Sequence, residues 1–223
     1  MLGTFRWAVV ALLLTAAAQA APYTIKVEKA APPKDLSPDV AAALSDESVQ
    51  LLNAKGKVLA QVWFCKTVHA KSAQFTGTPT YQDLQETSLL GAVRYPAEIR
   101  DYRKQKIKAG LYTLRLGLQP MDGDHMGTAP DPYFALLVGA AKDKQTAPLK
   151  DGKQLFELSS KSIGKTHAGV FLLFPLDKAP AEPKLVNKGS GTWAVEWKET
   201  ATAGGQTAAL PIALTLVGHT SAE

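Results

Sequence analysis

Short segments that alternate apolar and polar residues recur along this chain, and they constrain its fold more than any other feature. In the clearest of them, GLYTLRLGLQ, the alternating sets are Tyr112, Leu114, Leu116 and Leu118 against Thr113, Arg115, Gly117 and Gln119. The same period of two occurs in YTIKVE, KVLAQVWF, TWAVEWK and PIALTLVG. This period is typical of antiparallel strands with one buried face and one face in water. Thr113 and Arg115 are therefore expected on a wet face.

Turn-forming residues separate these segments at short intervals, as in NAKGK, MDGD, APAEP and TAGGQ. About nine to eleven strands at this spacing, without βαβ alternation, predict an all-β protein: an antiparallel two-sheet sandwich, immunoglobulin-like or jelly-roll, with one short helix. That helix is predicted over 151–164, where Asp151 and Gln154 form a capping-box pattern and Gly164 is a typical stop. The strand patterns predict a core that includes Leu114, Leu116, Leu136, Val138, Leu172, Trp193 and Trp197.

The N-terminal stretch MLGTFRWAVVALLLTAAAQAAP has the three parts of a secretory signal peptide. Arg6 precedes an apolar run of about a dozen residues, too short to span a bilayer, and the small-residue pattern before Ala21 is a cleavage site. We therefore expect a signal peptide over 1–20, a connector that can form an edge strand over 21–47, and a single β-sandwich domain over 48–223. The mature protein is expected to be exported, periplasmic or extracellular, without a membrane span.

The cysteine count limits the possible disulfides and metal sites, and the net charge bears on the possible partners. Cys65 is the only cysteine, so an intramolecular disulfide and a zinc site with two or more cysteines are excluded. The formal net charge of +5 would suit an acidic partner such as nucleic acid, anionic polysaccharide or a lipid surface, but the charge is spread along the chain. The densest basic cluster, RDYRKQKIK over 100–108, lacks the interleaved aromatic residues of a base-stacking surface. Nucleic acid is therefore not an expected partner, and a lysine-protected sheet edge is favoured.

Standard catalytic signatures are missing from the sequence, including G-x-S-x-G, H-E-x-x-H and phosphate-binding glycine loops. Cys65 and His69 in CKTVH could form a thiolate–imidazole nucleophile. A cysteine after the apolar run VWF is more typical of a small core residue, and this interpretation is favoured.

The tryptophans offer a second kind of site, a surface on which sugar rings stack. Trp193 and Trp197 share the apolar face of their strand with Val195, which favours the core. Trp63 lies on the opposite strand face from Phe64 and is the candidate for an exposed stacking residue. Carbohydrate is therefore a candidate partner, as is another envelope protein.

The loop QPMDGDHMGTAPDPYF begins like a calcium-binding loop, with Asp122, Asp124 and, at the sixth place, Gly127. The likeness then ends, because Met126 occupies the fifth place and Tyr133 the twelfth. Without the bidentate glutamate and flanking helices, an EF-hand is excluded.

What remains of this motif is a tight polar turn that projects Asp122, Asp124 and His125, with Asp131 close behind. His167, in GKTHAGV, is expected to converge on the same rim of the sandwich. Carboxylates with imidazole suit zinc, manganese or a similar ion, so a divalent cation is the candidate cofactor, its identity unknown. The alternative is an ordinary β-turn in which the aspartates cap backbone amides.

The block KIKAGLYTLRLGLQPMDGDHMG, followed by PYFALLV and LFELSSKSIGKTHAGVFLLFP, resembles uncharacterised secreted bacterial β-sandwich proteins. These proteins keep an A-G-x-Y-x-L strand that runs into a polar loop, and the resemblance covers roughly residues 105–176. It implies an exported β-sandwich without an assigned activity, and it supplies no catalytic residues.

Together these patterns favour a secreted or periplasmic, non-catalytic binding or structural module of the cell envelope. The alternative is a metal-dependent hydrolase that uses the Asp/His loop. The fold alone does not decide between them, because sandwiches host both kinds of protein.

We predict that export removes residues 1–20, because the charged start, the short apolar run and the small-residue site match a cleaved signal. Intact-mass spectrometry of the periplasmic protein should show Ala21 as the new N-terminus. Recovery of the chain in the membrane fraction with Met1 still present would contradict the prediction.

Overall fold

Antiparallel strands dominate the computed structural model, which describes residues 21–119 and 129–220. The strands in these ranges are β1 Tyr23–Lys29, β2 Glu47–Asn53, β3 Val58–Phe64, β4 Val68–His69, β5 Leu89–Tyr95, β6 Ile99–Arg100, β7 Lys106–Ile107, β8 Gly110–Leu118, β9 Tyr133–Gly139, β10 Val170–Leu172, β11 Lys184–Gly189, β12 Thr192–Ala203 and β13 Gln206–Val217. The helices are α1 Pro38–Ala43 and α2 Gly152–Ile163, with a 3-10 turn at Tyr81–Asp83. The predicted β-rich fold with one main helix is confirmed.

The strands form two larger sheets and one small hairpin. The first sheet has seven strands in the order β1-β2-β3-β5-β8-β9-β10, and the second contains β11-β12-β13 with β4 added parallel to β12. β6 and β7 pair only with each other. The seven-stranded sheet follows the chain as a meander, whereas immunoglobulin-like and jelly-roll folds are built from Greek keys. The two larger sheets meet where Leu173 bridges Leu214 and the Phe174 N–H donates to the Ala213 carbonyl.

One apolar core takes side chains from both larger sheets. Phe64 of β3 stacks on Trp197 of β12 with 5.1 Å between ring centroids. Tyr23 of β1 meets Trp193 of β12 edge-on at 5.8 Å. The residues predicted to be buried that are buried are Leu114, Leu116, Leu136, Val138, Leu172 and Trp197. Trp193 is only half-buried, at the margin of this core.

A second, smaller core lies on the other face of the seven-stranded sheet, beneath α2. Its members are Leu136, Val138, Leu149, Leu155 and Ala168. β9 therefore has apolar side chains on both faces, as its run YFALLVG predicted.

The ends of α2 follow the sequence prediction. The side chain of Asp151 accepts a hydrogen bond from the Gln154 N–H at 2.8 Å, which satisfies one donor of the first turn. Gly164 ends the helix at a φ of 66°, a left-handed conformation that glycine adopts without strain. No helix in the described ranges is long and apolar enough to cross a membrane.

The expected wet face of β8 is wrong, because the segment between β9 and α2 folds over it. Thr113 and Arg115 are both 0% exposed. Nε and Nη2 of Arg115 donate to the two carboxylate oxygens of Asp143, at 2.7 and 2.8 Å. The Thr113 hydroxyl also donates to Asp143. The remaining guanidinium hydrogen bonds go to the backbone carbonyls of Thr87, Gln145 and Ala147.

We predict that Asp143→Ala destabilises the protein by about 3–5 kcal/mol, because it leaves the Arg115 guanidinium buried without its counter-charge. Urea unfolding followed by tryptophan fluorescence would measure this loss. Lys144→Ala, at an exposed neighbouring position, is the control and should change stability by less than about 0.5 kcal/mol. Equal stabilities of the two variants would show that the ion pair does not anchor this segment.

Candidate ligand-binding pocket

A pocket of about 320 Å³ is lined by residues of both larger sheets. Its buried lining residues are Leu51, Ala60, Tyr95 and Leu216. Three of these come from the seven-stranded sheet and one from β13, so the pocket is bounded by both sheets. Ligand sites commonly occupy concave apolar sites of about this size, with a few polar groups placed at their edges.

The polar edge of the pocket is provided by the β6–β7 hairpin. Glu98 and Arg100 are both exposed and both line the pocket. Glu98 pairs with Lys106 across the hairpin at 3.1 Å, so its charge is compensated. Arg100 donates to the Lys104 carbonyl at 2.7 Å, and within the described ranges it has no carboxylate partner. The edge therefore has an uncompensated guanidinium.

His219 adds a second nitrogen-bearing side chain at this edge. Its Nδ1 lies 2.9 Å from the carbonyl oxygen of Asp101. Because a carbonyl oxygen can only accept, Nδ1 carries the hydrogen in this contact. Nε2 is then the ring nitrogen that a ligand can use.

Asp101 holds the hairpin in place. It is 0% exposed, and its carboxylate accepts from the backbone and side-chain amides of Gln105, each at 2.8 Å, and from the Val170 N–H at 3.1 Å. Burial raises the pKa of Asp101, and these hydrogen bonds oppose the shift. Sequence reasoning missed this residue. The available signal was a single acid inside the basic cluster RDYRKQKIK.

Tyr95, one of the residues that line the pocket, has an unsatisfied hydrogen-bonding group. The residue is 2% exposed, and its ring packs against Tyr112 and Phe171 at centroid distances of 6.2 and 6.0 Å. Its hydroxyl is buried and has no hydrogen-bond partner among the residues that the structure describes. Burial raises the pKa of Tyr95, so the group stays a neutral phenol that can donate and accept. An unmade hydrogen bond of this kind costs about 1–3 kcal/mol.

The structure describes only part of the polar loop. Asp122, Asp124 and His125 lie outside the described residues. Asp131 lies just before β9, and burial raises its pKa. His167 is exposed and meets the ring of Phe156 edge-on at 6.4 Å.

The structure does not bring His167 beside Asp131. The pairing of β9 with β10 aligns Leu136 with Val170, which places His167 near the Gly139 end of β9. Asp131 precedes the other end. The seven residues of β9 span roughly 20 Å at the usual rise, so Asp131 and His167 lie at opposite ends of this strand.

Other predicted ligands and nucleophiles are also separated. Cys65 is buried, its thiol donates to the Leu89 carbonyl at 3.4 Å, and burial raises its pKa, which confirms the core interpretation. His69 is exposed and hydrogen-bonds Thr202 at 2.9 Å through Nδ1. Across residues 21–119 and 129–220, no group of three or more His, Cys, Asp or Glu side chains could hold a metal ion.

The expected exposure of Trp63 is wrong. Its side chain is 3% exposed, and its indole N–H donates to the Ala30 carbonyl at 2.9 Å. The segment after β1 covers this face of the sheet, and Val40 of α1 is fully buried there. Trp63 is therefore unable to offer a ring to a sugar at the surface.

Glu199 is a second unsatisfied group, buried beside Trp197 of the apolar core. It is 6% exposed; Oε1 accepts from the Trp197 indole N–H at 2.8 Å, and Oε2 has no partner in the described part of the chain. Burial raises the pKa of Glu199 to about 8. This carboxyl is therefore largely protonated at neutral pH.

Comparison with protein-family models, curated proteins and solved structures gave no match. The function therefore has to be inferred from the geometry of the chain itself.

The wild type should become less stable as pH rises, because the buried Glu199 carboxyl becomes charged. We predict that Glu199→Gln abolishes this loss of stability. A raised folded-state pKa means that the folded chain keeps a proton that the unfolded chain releases above its ordinary pKa of 4.5. Stability from this group is therefore complete below about pH 4.5 and is lost as pH rises through about 8, by an amount on the order of a few kcal/mol.

Urea unfolding at several pH values would test this prediction. The stability difference between Glu199→Gln and wild type should grow in favour of the variant from pH 5 to about pH 8. Glu157→Gln removes an exposed carboxyl on α2 and is the matched control. A difference that does not change with pH would contradict the prediction.

Proposed function

We propose that this chain is an exported, non-catalytic binding module of the cell envelope, and that its pocket between the sheets holds a small amphipathic molecule with an anionic head group. The observation that carries the proposal is the combination of buried apolar walls with the unpartnered hydroxyl of Tyr95. Export rests on the N-terminal pattern and on the resemblance to secreted bacterial proteins. Retention in the envelope follows from neither and is part of the proposal.

We further propose that the two larger sheets are the layers of a sandwich, with the pocket at one open end. The shared apolar core and the stacking of Phe64 on Trp197 support this arrangement. The meander order of the seven-stranded sheet favours a sandwich built differently from the immunoglobulin-like and jelly-roll kinds.

The anionic head group follows from the charges at the pocket edge. Arg100 is uncompensated, whereas Lys106 neutralises Glu98. A carboxylate or similar anion suits a guanidinium because it can accept two parallel hydrogen bonds. Nε2 of His219 offers a further contact, and the apolar part of the ligand would lie against Leu51, Ala60 and Leu216.

These groups support binding rather than catalysis. Among the described lining residues, none is a cysteine, serine or threonine paired with a base, which nucleophilic catalysis would need. The alternative of a metal-dependent hydrolase rests on Asp122, Asp124 and His125, outside the described residues. Asp131 and His167, the other residues of that candidate site, lie at opposite ends of β9. A binding pocket is therefore the better-supported proposal.

We predict that decanoate binds the protein more tightly than decanol, because only decanoate has a charge for Arg100. Isothermal titration calorimetry should show that Arg100→Gln weakens decanoate binding roughly tenfold and leaves decanol binding nearly unchanged. Arg103→Gln removes an exposed arginine of the same hairpin that does not line the pocket, and it should bind both ligands like wild type.

Tyr95→Phe distinguishes a loss of ligand binding in the pocket from a loss of overall stability. Because the hydroxyl has no partner, its removal should leave the free energy of unfolding unchanged or raise it by about 1 kcal/mol, while weakening both ligands. Tyr112→Phe is the control, since that hydroxyl donates to the Lys108 carbonyl at 3.0 Å. If neither decanoate nor decanol binds the wild type, or if Arg103→Gln weakens decanoate as much as Arg100→Gln, the proposed pocket function is wrong.

A further inference from the structure

A second concavity, a groove of about 880 Å³, lies on the outer side of the four-stranded sheet. Its walls come from the stretches 77–79 and 178–181, and its floor includes Lys184 of β11, Lys198 of β12 and Ala209 of β13. It shares no lining residue with the pocket between the sheets. It is therefore a separate candidate site.

The groove is basic. Lys178, Lys184 and Lys198 line it, and none of its described lining residues is acidic. Lys184 contacts Glu196 at 2.9 Å, but Lys188 contacts the same carboxylate at 2.8 Å, so two ammonium groups share one counter-charge.

The other two lysines have no such compensation. Lys178 and Lys198 are exposed, and neither has a carboxylate within 4.0 Å among residues 21–119 and 129–220. The nearest acids in sequence to the 178–181 wall are Asp177 and Glu182, which do not line the groove. The groove therefore has a net positive charge that an anion would complement.

The small residues that line the groove leave room for a ligand. Pro79 and Pro180 stiffen its walls, and the floor residues Ala208 and Ala209 are too small to fill it. β12 and β13 pair with each other along their lengths, so a bound peptide would have to use the outer edge of β13, the last strand of its sheet. The described lining also contains no aromatic residue and no large apolar side chain to anchor a peptide.

We propose that this groove binds an acidic polysaccharide, whose carboxylates contact the three lysines and whose sugar rings lie over the alanine floor between the two proline walls. The proposal goes beyond the pocket function, because it assigns a second site with a polymeric ligand. The regular spacing of charges along such a chain suits Lys184 and Lys198, which lie diagonally across neighbouring strands, with Cα atoms about 7–8 Å apart.

Oligogalacturonate is the probe, with binding measured by calorimetry on the mature chain. It should bind wild type, and affinity should fall as salt increases because the lysines are exposed. The double variant Lys178→Ala/Lys198→Ala should weaken binding roughly tenfold. The double variant Lys55→Ala/Lys57→Ala removes two exposed lysines from the β2–β3 turn and is the matched control, expected to bind like wild type.

Ala209→Leu tests the groove without changing any charge. The larger side chain would occupy the exposed floor position, so oligogalacturonate binding should weaken while circular dichroism and decanoate binding remain as in wild type. The proposal is overturned by absence of binding at low salt, by an equal loss in the Lys55/Lys57 control, or by equal affinity for polyglutamate, which would indicate an acidic polypeptide or unspecific attraction.

Discussion

The ion pair of Arg115 and Asp143 is the interaction on which the layered arrangement of this protein depends. A guanidinium at the centre of a sheet face is strongly disfavoured unless every N–H has an acceptor. Asp143 and the carbonyls of Gln145 and Ala147, all between β9 and α2, provide four of these hydrogen bonds, and the carbonyl of Thr87, which lies beside β8, accepts the fifth. Because desolvation offsets much of the Coulomb attraction, the pair contributes more to placing this segment than to net stability.

Fixing this segment also positions α2. The chain runs directly from it into the N-cap Asp151, and α2 then covers Leu136 and Val138. β8 leaves room for Leu136 through Gly117, where a Cβ would lie only 2.5 Å from Leu136 Cδ1. Arg115 and Gly117 lie on the same face of β8, and both are unusual residues for an apolar layer. Asp143 packs against the first and Leu136 against the second, which explains why these residues are there.

Local patterns in the sequence predicted the elements of this fold well, and they failed wherever a distant segment decided the outcome. Period-two alternation located the strands, and the capping residues located both ends of α2. Alternation assigns residues to faces but does not tell which faces are covered. Thr113, Arg115 and Trp63 were expected in water for this reason, and segments far along the chain bury them. The candidate pocket was missed because its walls come from strands far apart in the sequence, as with Leu51 of β2 and Leu216 of β13.

The unsatisfied groups of Glu199 and Tyr95 differ in how the free-energy cost of their burial can be lowered. Glu199 can take up a proton, which removes the cost of burying its charge, and the rise of its pKa to about 8 expresses that response. Tyr95 is already neutral, and no change of protonation can supply its missing partner. Only an added molecule or a rearrangement can satisfy that hydroxyl. Because Tyr95 lines a cavity while Glu199 lines neither pocket described above, the physical case for a bound ligand rests on the Tyr95 end of the core.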